Sequence, residues 1–434
     1  MPRLAALLSF FVMMLPLFGA EASPASSQNE QLQMVVVLSR HGIRAPIASE
    51  MRDNLYNAQT WAAWPVAPGV LTSHGTEALR LMGTFYREHY SGLLQNSDCA
   101  HPDIFAIANN SQRTIASAHA LLSGIAPGCD VEVHARQGRE RDPLFGQSTF
   151  SAAADHEKLA AAILGRLGGR IDWWPQAYRR QLNDLQAILL NCNGAGCNKD
   201  KKKLLDSPSA VKAVNNGEIV SIETPVSIVA DFAEHFLLQY TEGLPMEEVG
   251  WGRVSREQLD DLMAMNTSYH DFILQTPYFA QVAASDLAYR LNATLEQAAN
   301  GKTIADALAP PEDQFVLLAG HDSNLTWMSG LLRFSWLLPD QPRDATPPGS
   351  ALVFELYRNT TTGRNTVHVL FAGQTLDQMR FLTPLQGKEQ PSLVPVFVPG
   401  CSEPEPGYPC DLAMFSRLVE GAIDGRFVDH SGKP

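Results

Sequence analysis

Positive charge is in short supply in this chain of 434 residues: Lys and Arg together number 33 against 46 Asp and Glu, a net charge of −13. So acidic a surface repels polyanions, which argues against nucleic acid as a partner. The same field repels small anions, so an anionic substrate needs a local cluster of cations to draw it in. Long apolar runs are missing too. Beyond residue 18 nothing approaches the roughly 20 apolar residues of a membrane span, and a soluble mature protein without a membrane partner is expected.

Several common catalytic signatures are absent. No H-E-x-x-H and no G-x-S-x-G occurs, which removes the commonest zinc-protease and serine-hydrolase readings. Asn300-Gly301-Lys302-Thr303 ends like a nucleotide-binding loop, but Glu296 stands where that loop needs its first glycine. Six cysteines occur without a C-x-x-C pair, so neither a structural zinc nor a redox centre is expected, and no metal or cofactor is assigned.

What is present begins at the N-terminus. Arg3, an apolar stretch over residues 4–18 and the small-x-small sequence Ala20-Glu21-Ala22 match a secretory signal, so residues 1–22 are expected to be cleaved and the protein to be periplasmic or secreted. Losing Arg3 and Glu21 leaves the net charge unchanged. In an exported chain six cysteines suggest disulfides, with about 15 pairings open. Spacing favours neighbours: Cys99 with Cys129, Cys192 with Cys197, and Cys401 with Cys410.

Residues 33–38 form a continuous β-branched apolar run, the pattern of a strand buried on both faces, and it ends in Ser39-Arg40-His41-Gly42. Residues 314–319 repeat that character and end in Gly320-His321-Asp322-Ser323-Asn324. A third run, 103–108, leads into Asn109-Asn110-Ser111-Gln112-Arg113 and a helical pattern carried by Ile115, Ala118 and Leu122. Ligands of open α/β sheets bind beyond the carboxyl ends of the strands, so these three polar segments are expected to converge. Residues 351–357 and 366–372 flank a turn and read as a hairpin. The predicted fold is α/β, a doubly wound, mostly parallel sheet with helices on both faces and an antiparallel edge. It is divided as 31–136 and 312–434 for the sheet, with a mainly helical insert over 137–311.

Arg40-His41-Gly42-Ile43-Arg44-Ala45-Pro46 spells R-H-G-x-R-x-P, and His321-Asp322 spells H-D. The pair resembles the histidine acid phosphatases, the branch of the histidine phosphatase superfamily that contains phytases and glucose-1-phosphatases. The resemblance extends to residues 110–114, 127–130 and 242–246, and implies a phosphoglycerate-mutase-like fold in a periplasmic enzyme. It implies that His41 attacks phosphorus and that Asp322 protonates the leaving oxygen, then activates water.

The residue types suit that chemistry. A phosphate monoester carries up to two negative charges that repel nucleophiles, so planar cationic donors must hold its oxygens. Arg40, Arg44 and Arg113 supply them, and His321 adds a fourth donor. His134, closing the 131–133 run, is a further candidate for phosphate contact against an ordinary strand-end role. The same cations are expected to keep His41 neutral in mild acid and to depress Asp322 as well. Trp61 and Trp64, within 47–73, are expected to wall the leaving-group side together with the insert. The competing reading is an exported phosphosugar-binding protein that does not turn over.

Overall fold

The computed structural model describes residues 29–430 apart from 52–53, 95–98, 100–102, 138–141, 192–199 and 215–217. The expected signal segment and the Cys192 and Cys197 pair therefore lie outside the described residues. The strands in chain order are β1 (Glu30–Arg40), β2 (Ile104–Ala108), β3 (Val133–His134), β4 (Ala210–Ala213), β5 (Val220–Glu223), β6 (Phe315–Gly320), β7 (Ala351–Asn359), β8 (Asn365–Gly373), β9 (Ser392–Pro395) and β10 (Cys410–Asp411).

The main sheet runs β10-β8-β7-β1-β6-β2-β3, with β9 also paired to β8. β1, β6, β2 and β3 are mutually parallel, while β7 pairs antiparallel with both β1 and β8, and β9 and β10 antiparallel with β8. Most strands thus point one way. The hairpin β7–β8 forms the antiparallel side, extended by β9 and β10, which are too short to leave a sequence signal.

β1 shows why its apolar run is unbroken. Val35 and Val37 face a layer with Leu79, Met82, Tyr86 and Leu121, whereas Met34, Val36 and Leu38 face another with Phe232, Ala283, Leu325 and Phe415. Each such buried side chain contributes roughly 1.5–3 kcal/mol. The first layer belongs to helices Ser73–His89 and Gln112–Ile125, and the second to Pro225–Thr241, Pro277–Asn300, Asp322–Leu332 and Leu412–Ala422.

Between β3 and β6 the chain is mainly helical, with His156–Arg166, Arg179–Leu190, Pro225–Thr241, Arg256–Tyr269 and Pro277–Asn300. The small hairpin β4–β5 interrupts it, a feature the sequence pattern did not announce. Apolar side chains of these helices form one cluster with Met34, Val36 and Leu38, so the helical region shares its core with the sheet. Helix Pro225–Thr241 starts with Pro225 in its first turn and a Thr224 side-chain cap, and is buried nearly all round. Its polar residues Glu234 and His235 are therefore carried into the interior beside the sheet.

Cys99 is bonded to Cys129 and Cys401 to Cys410, with Cα separations of 4.9 Å and 5.2 Å, the neighbour pairing that the spacing favoured. Among the described residues no helix is long and apolar enough to cross a membrane.

Candidate active site

β6 lies between β1 and β2, and the register sets Arg40 opposite Gly320 and Ala108 opposite Ala319. His41 N donates to Gly320 O at 3.0 Å, and Asn109 N to Ala319 O at 2.9 Å. The three polar segments thus leave the sheet side by side, at its carboxyl edge. Two helices, Gln112–Ile125 and Asp322–Leu332, begin there and point their positive ends at the same place. Gly42 lets the motif pass under the first layer, since a Cβ there would lie 2.6 Å from Leu79 Cδ1.

The arginines are held from behind. Arg40 donates Nη2 to Glu234 and Nη1 to the Thr346 carbonyl. Arg44 makes a two-pronged pair with Glu50 at 2.8 Å and 2.6 Å, and Glu50 also accepts from Ile47 N at 2.9 Å. Arg113, in the first turn of its helix, places Nη2 3.5 Å from His321 Nδ1. All three arginines keep a buried Nε–H without a protein partner among the described residues. Buried donors of this kind are costly unless something accepts from them, and a tetrahedral oxyanion presents acceptors on every face.

His41 is 2% exposed and its Nδ1 lies 2.9 Å from Gly42 O. A carbonyl only accepts, so Nδ1 carries the proton and the lone pair is on Nε2. Burial, then the charges of Arg44, Arg40, Arg113 and His321, hold the His41 pKa well below its ordinary value. The ring stays neutral in acid.

Asp322 opens its helix with Oδ1 accepting from Ser323 N at 2.7 Å and Oδ2 3.7 Å from Arg40 Nη2. Burial pushes its carboxyl up, but Arg40, His270 and His321 together outweigh burial and hold it well below the usual carboxylate range. His321 stands edge-on to His41 with ring centroids 5.6 Å apart. Burial and then Arg113, opposed by Asp322, push His321 down to about 3.

Arg40, His41, Arg44, Arg113, His321 and Asp322 are thus brought into one cluster. His134 is not. It lies on the edge strand β3, its ring stacked on Phe105 at 4.5 Å and its Nδ1 3.7 Å from Glu132. Because His134 pairs level with Ile107 rather than beyond the end of β2, its side chain stays beside the sheet.

Glu50 and Glu234, which aim two of the arginines, carry no sequence signal. Asn109 stands in the polar segment that follows β2, but nothing in the sequence marks it as a partner of His321, whose Nε2 lies 3.1 Å from its Oδ1. Trp61 stacks on His235 at 3.8 Å and on Trp251 at 4.4 Å, which fastens its segment to the helix that carries Glu234.

Comparison with known proteins agrees with this layout. The family model of the histidine phosphatase superfamily (branch 2) matches residues 31–372. Phytase AppA of Escherichia coli is 32% identical over 96% of this chain and 98% of its own length. The glucose-1-phosphatase of Salmonella typhimurium is 29% identical over 94% and 96%. A solved structure of Hafnia alvei phytase in complex with tartrate superposes with a TM-score of 0.84 at 32% identity, covering 93% of this chain and 100% of that one. Motif, fold and near full-length similarity lead to one assignment: this chain belongs to branch 2 of the histidine phosphatase superfamily.

Proposed function

We propose that this protein is an exported acid phosphatase that hydrolyses phosphomonoesters through a phosphohistidine on His41. The observation that carries this reading is the tautomer of His41: its Nδ1 proton is given to Gly42 O, leaving Nε2 as a free nucleophile beside three arginines with unpartnered Nε–H groups.

In the first step His41 Nε2 forms a bond to phosphorus while the bond to the ester oxygen breaks, and that oxygen takes a proton from Asp322. In the second, Asp322 takes a proton from water, the resulting oxygen attacks phosphorus, and the P–N bond breaks to release phosphate. The arginines neutralise charge on the non-bridging oxygens throughout. Asp322 is ionised in the free protein, so the incoming phosphate dianion must supply the negative potential that lets it hold a proton.

Relatives named phytase and glucose-1-phosphatase support sugar or polyol phosphates as the substrate class. Comparing kcat/KM on glucose 1-phosphate and inositol hexakisphosphate ranks them. The N-terminal signal pattern supports export to the periplasm or beyond. The joint presence of His41 and Asp322 favours turnover over simple binding. Rapid quench with radiolabelled p-nitrophenyl phosphate tests the reading: an acid-labile, base-stable label is expected on the protein and not on His41→Ala. Turnover with no such label would refute a phosphohistidine.

A further inference from the structure

Behind the ring of His321 runs a chain of side chains that the two steps above do not use. His321 Nε2 is 3.1 Å from Asn109 Oδ1, Asn109 Nδ2 donates to Asp142 Oδ2 at 3.1 Å, and Asp142 Oδ1 accepts from Leu144 N at 3.1 Å. Asn109 and Asp142 are each only 7% exposed. The amide of Asn109 fits one way round. Its Oδ1 accepts from Ser111 N at 3.3 Å and from Ser111 Oγ at 2.7 Å, while its Nδ2 faces the carboxylate. Burial pushes the Asp142 carboxyl up, yet even a protonated Asp142 leaves the Ser111 N–H in place to orient the amide.

A ring nitrogen that faces an amide oxygen has to be the one bearing hydrogen. His321 is therefore the Nε2–H tautomer, and its Nδ1 lone pair points to the arginine side, 3.5 Å from Arg113 Nη2. Burial most of all, then Arg113, Arg44 and Arg40, disfavour a second proton on this ring, and Asp322 favours one. His41 faces its edge, and Asp142, with Arg136 near it, stands behind Asn109. In the free protein burial and the arginines prevail and the ring is neutral. A tetrahedral dianion among the arginines reverses that balance. Its oxygens can only accept, so Nδ1 serves them only once it holds a proton.

We propose that Asn109 is a positioning residue that locks His321 as the Nε2–H tautomer, so that binding of a tetrahedral dianion is coupled to uptake of a proton on His321 Nδ1. The inference rests on the proposed phosphate site. It makes His321 a donor to the bound anion only as an imidazolium, and it assigns Asn109 and Asp142 a part in the pH dependence of binding.

Sulfate is the probe, because it stays a dianion across the working pH range and any proton taken up belongs to the protein. Calorimetry at pH 5 in buffers of different ionisation enthalpy counts those protons, and about two per sulfate are expected, one on Asp322 and one on His321. In Asn109→Ala the ring is free to adopt the Nδ1–H tautomer and donate while neutral, so one of the two protons is expected to vanish. In Asp322→Asn the proton on His321 is expected to persist and the one on Asp322 to vanish. Nitrogen-15 spectra of histidine in the unmutated protein give a readout independent of any variant's folding. They should show His321 protonated on Nε2 alone when free and on both nitrogens with sulfate. A free Nδ1–H tautomer, a ring that stays neutral with sulfate bound, or uptake abolished by Asp322→Asn would overturn the inference while leaving the phosphate site standing. Failure of sulfate to compete with substrate would sink both.

Discussion

Arg40 is held by Glu234 from 194 residues away in sequence, through the same guanidinium nitrogen that stands 3.7 Å from Asp322. Glu234 thereby keeps this nitrogen from closing fully on Asp322. Burial pushes the Glu234 carboxyl up against the opposing pull of Arg40 and Arg44, so the pair is held in a medium where charge is costly.

Removing that carboxylate should act on both stability and catalysis. Glu234→Ala leaves a buried guanidinium with one partner fewer, a change that typically costs about 3–5 kcal/mol, and denaturant unfolding should show it. Glu234→Gln keeps the shape but frees Arg40 to close on Asp322. A fall in kcat of about tenfold or more is expected for alkyl phosphates, with a smaller effect on p-nitrophenyl phosphate. Equal rates for Glu234→Gln and the unmutated protein on alkyl phosphates would show that Arg40 is aimed without it.

The Asp322→Asn variant should discriminate between leaving groups. Glucose and inositol leave as oxygens that need a proton, whereas p-nitrophenolate departs without one. General acid catalysis is typically worth about 10²- to 10⁴-fold, so turnover of glucose 1-phosphate should drop far more than phosphoenzyme formation from p-nitrophenyl phosphate. Because water activation is lost as well, label should accumulate on His41. An equal loss with both substrates and no trapped label would make Asp322 a positioning residue.

The pH profile of kcat/KM reports on His41. Its pKa is held well below the ordinary 6.5 by burial and the arginines, so the lone pair stays available as the pH falls. No ionisation near 6.5 should limit the acid side of the profile, measured with p-nitrophenyl phosphate between about pH 4 and 7. An acid limb with its midpoint near 6.5 would contradict a nucleophile buried among cations.

Stability should respond to pH through Glu355, a carboxyl 4% exposed in the core between β7 and helix Ser73–His89. Tyr90 and Tyr357 donate to it at 2.8 Å and 3.2 Å, and burial raises its pKa above the ordinary 4.5. The folded state therefore holds this proton more tightly than the unfolded chain. Its contribution is complete below about pH 4.5 and is lost as the pH rises through the folded value. Glu355→Gln removes the dependence, so its stability relative to the unmutated protein should improve as the pH rises from 4 to 8 in denaturant titrations. A difference that stays constant across that range would mean that Glu355 keeps an ordinary pKa.

Much of this arrangement is written locally. The apolar run before Arg40 and its counterpart before Gly320 are the pattern of strands covered on both faces, and both are β-strands with helices on each side. The polar residues following them and Ala108 reach one place because strand ends in register lie level, which made Arg40, His41, Arg44, Arg113, His321 and Asp322 legible together.

What tertiary structure alone decided is how those groups are held and which proton each carries. Glu50 is six residues from Arg44, but Glu234 meets Arg40 only because a helix buried nearly all round carries it against the sheet. The proton on His321 depends on Asn109, 212 residues away, and so on which amide atom Ser111 and Asp142 turn towards it. His134, open in the sequence between phosphate contact and an ordinary strand-end role, is set level with Ile107 by strand pairing. Periodicity and motif spacing act over a few residues and so can be read along the chain. Hydrogen-bond partners and buried charge pairs are selected by distances of about 3 Å that exist only after distant segments have packed.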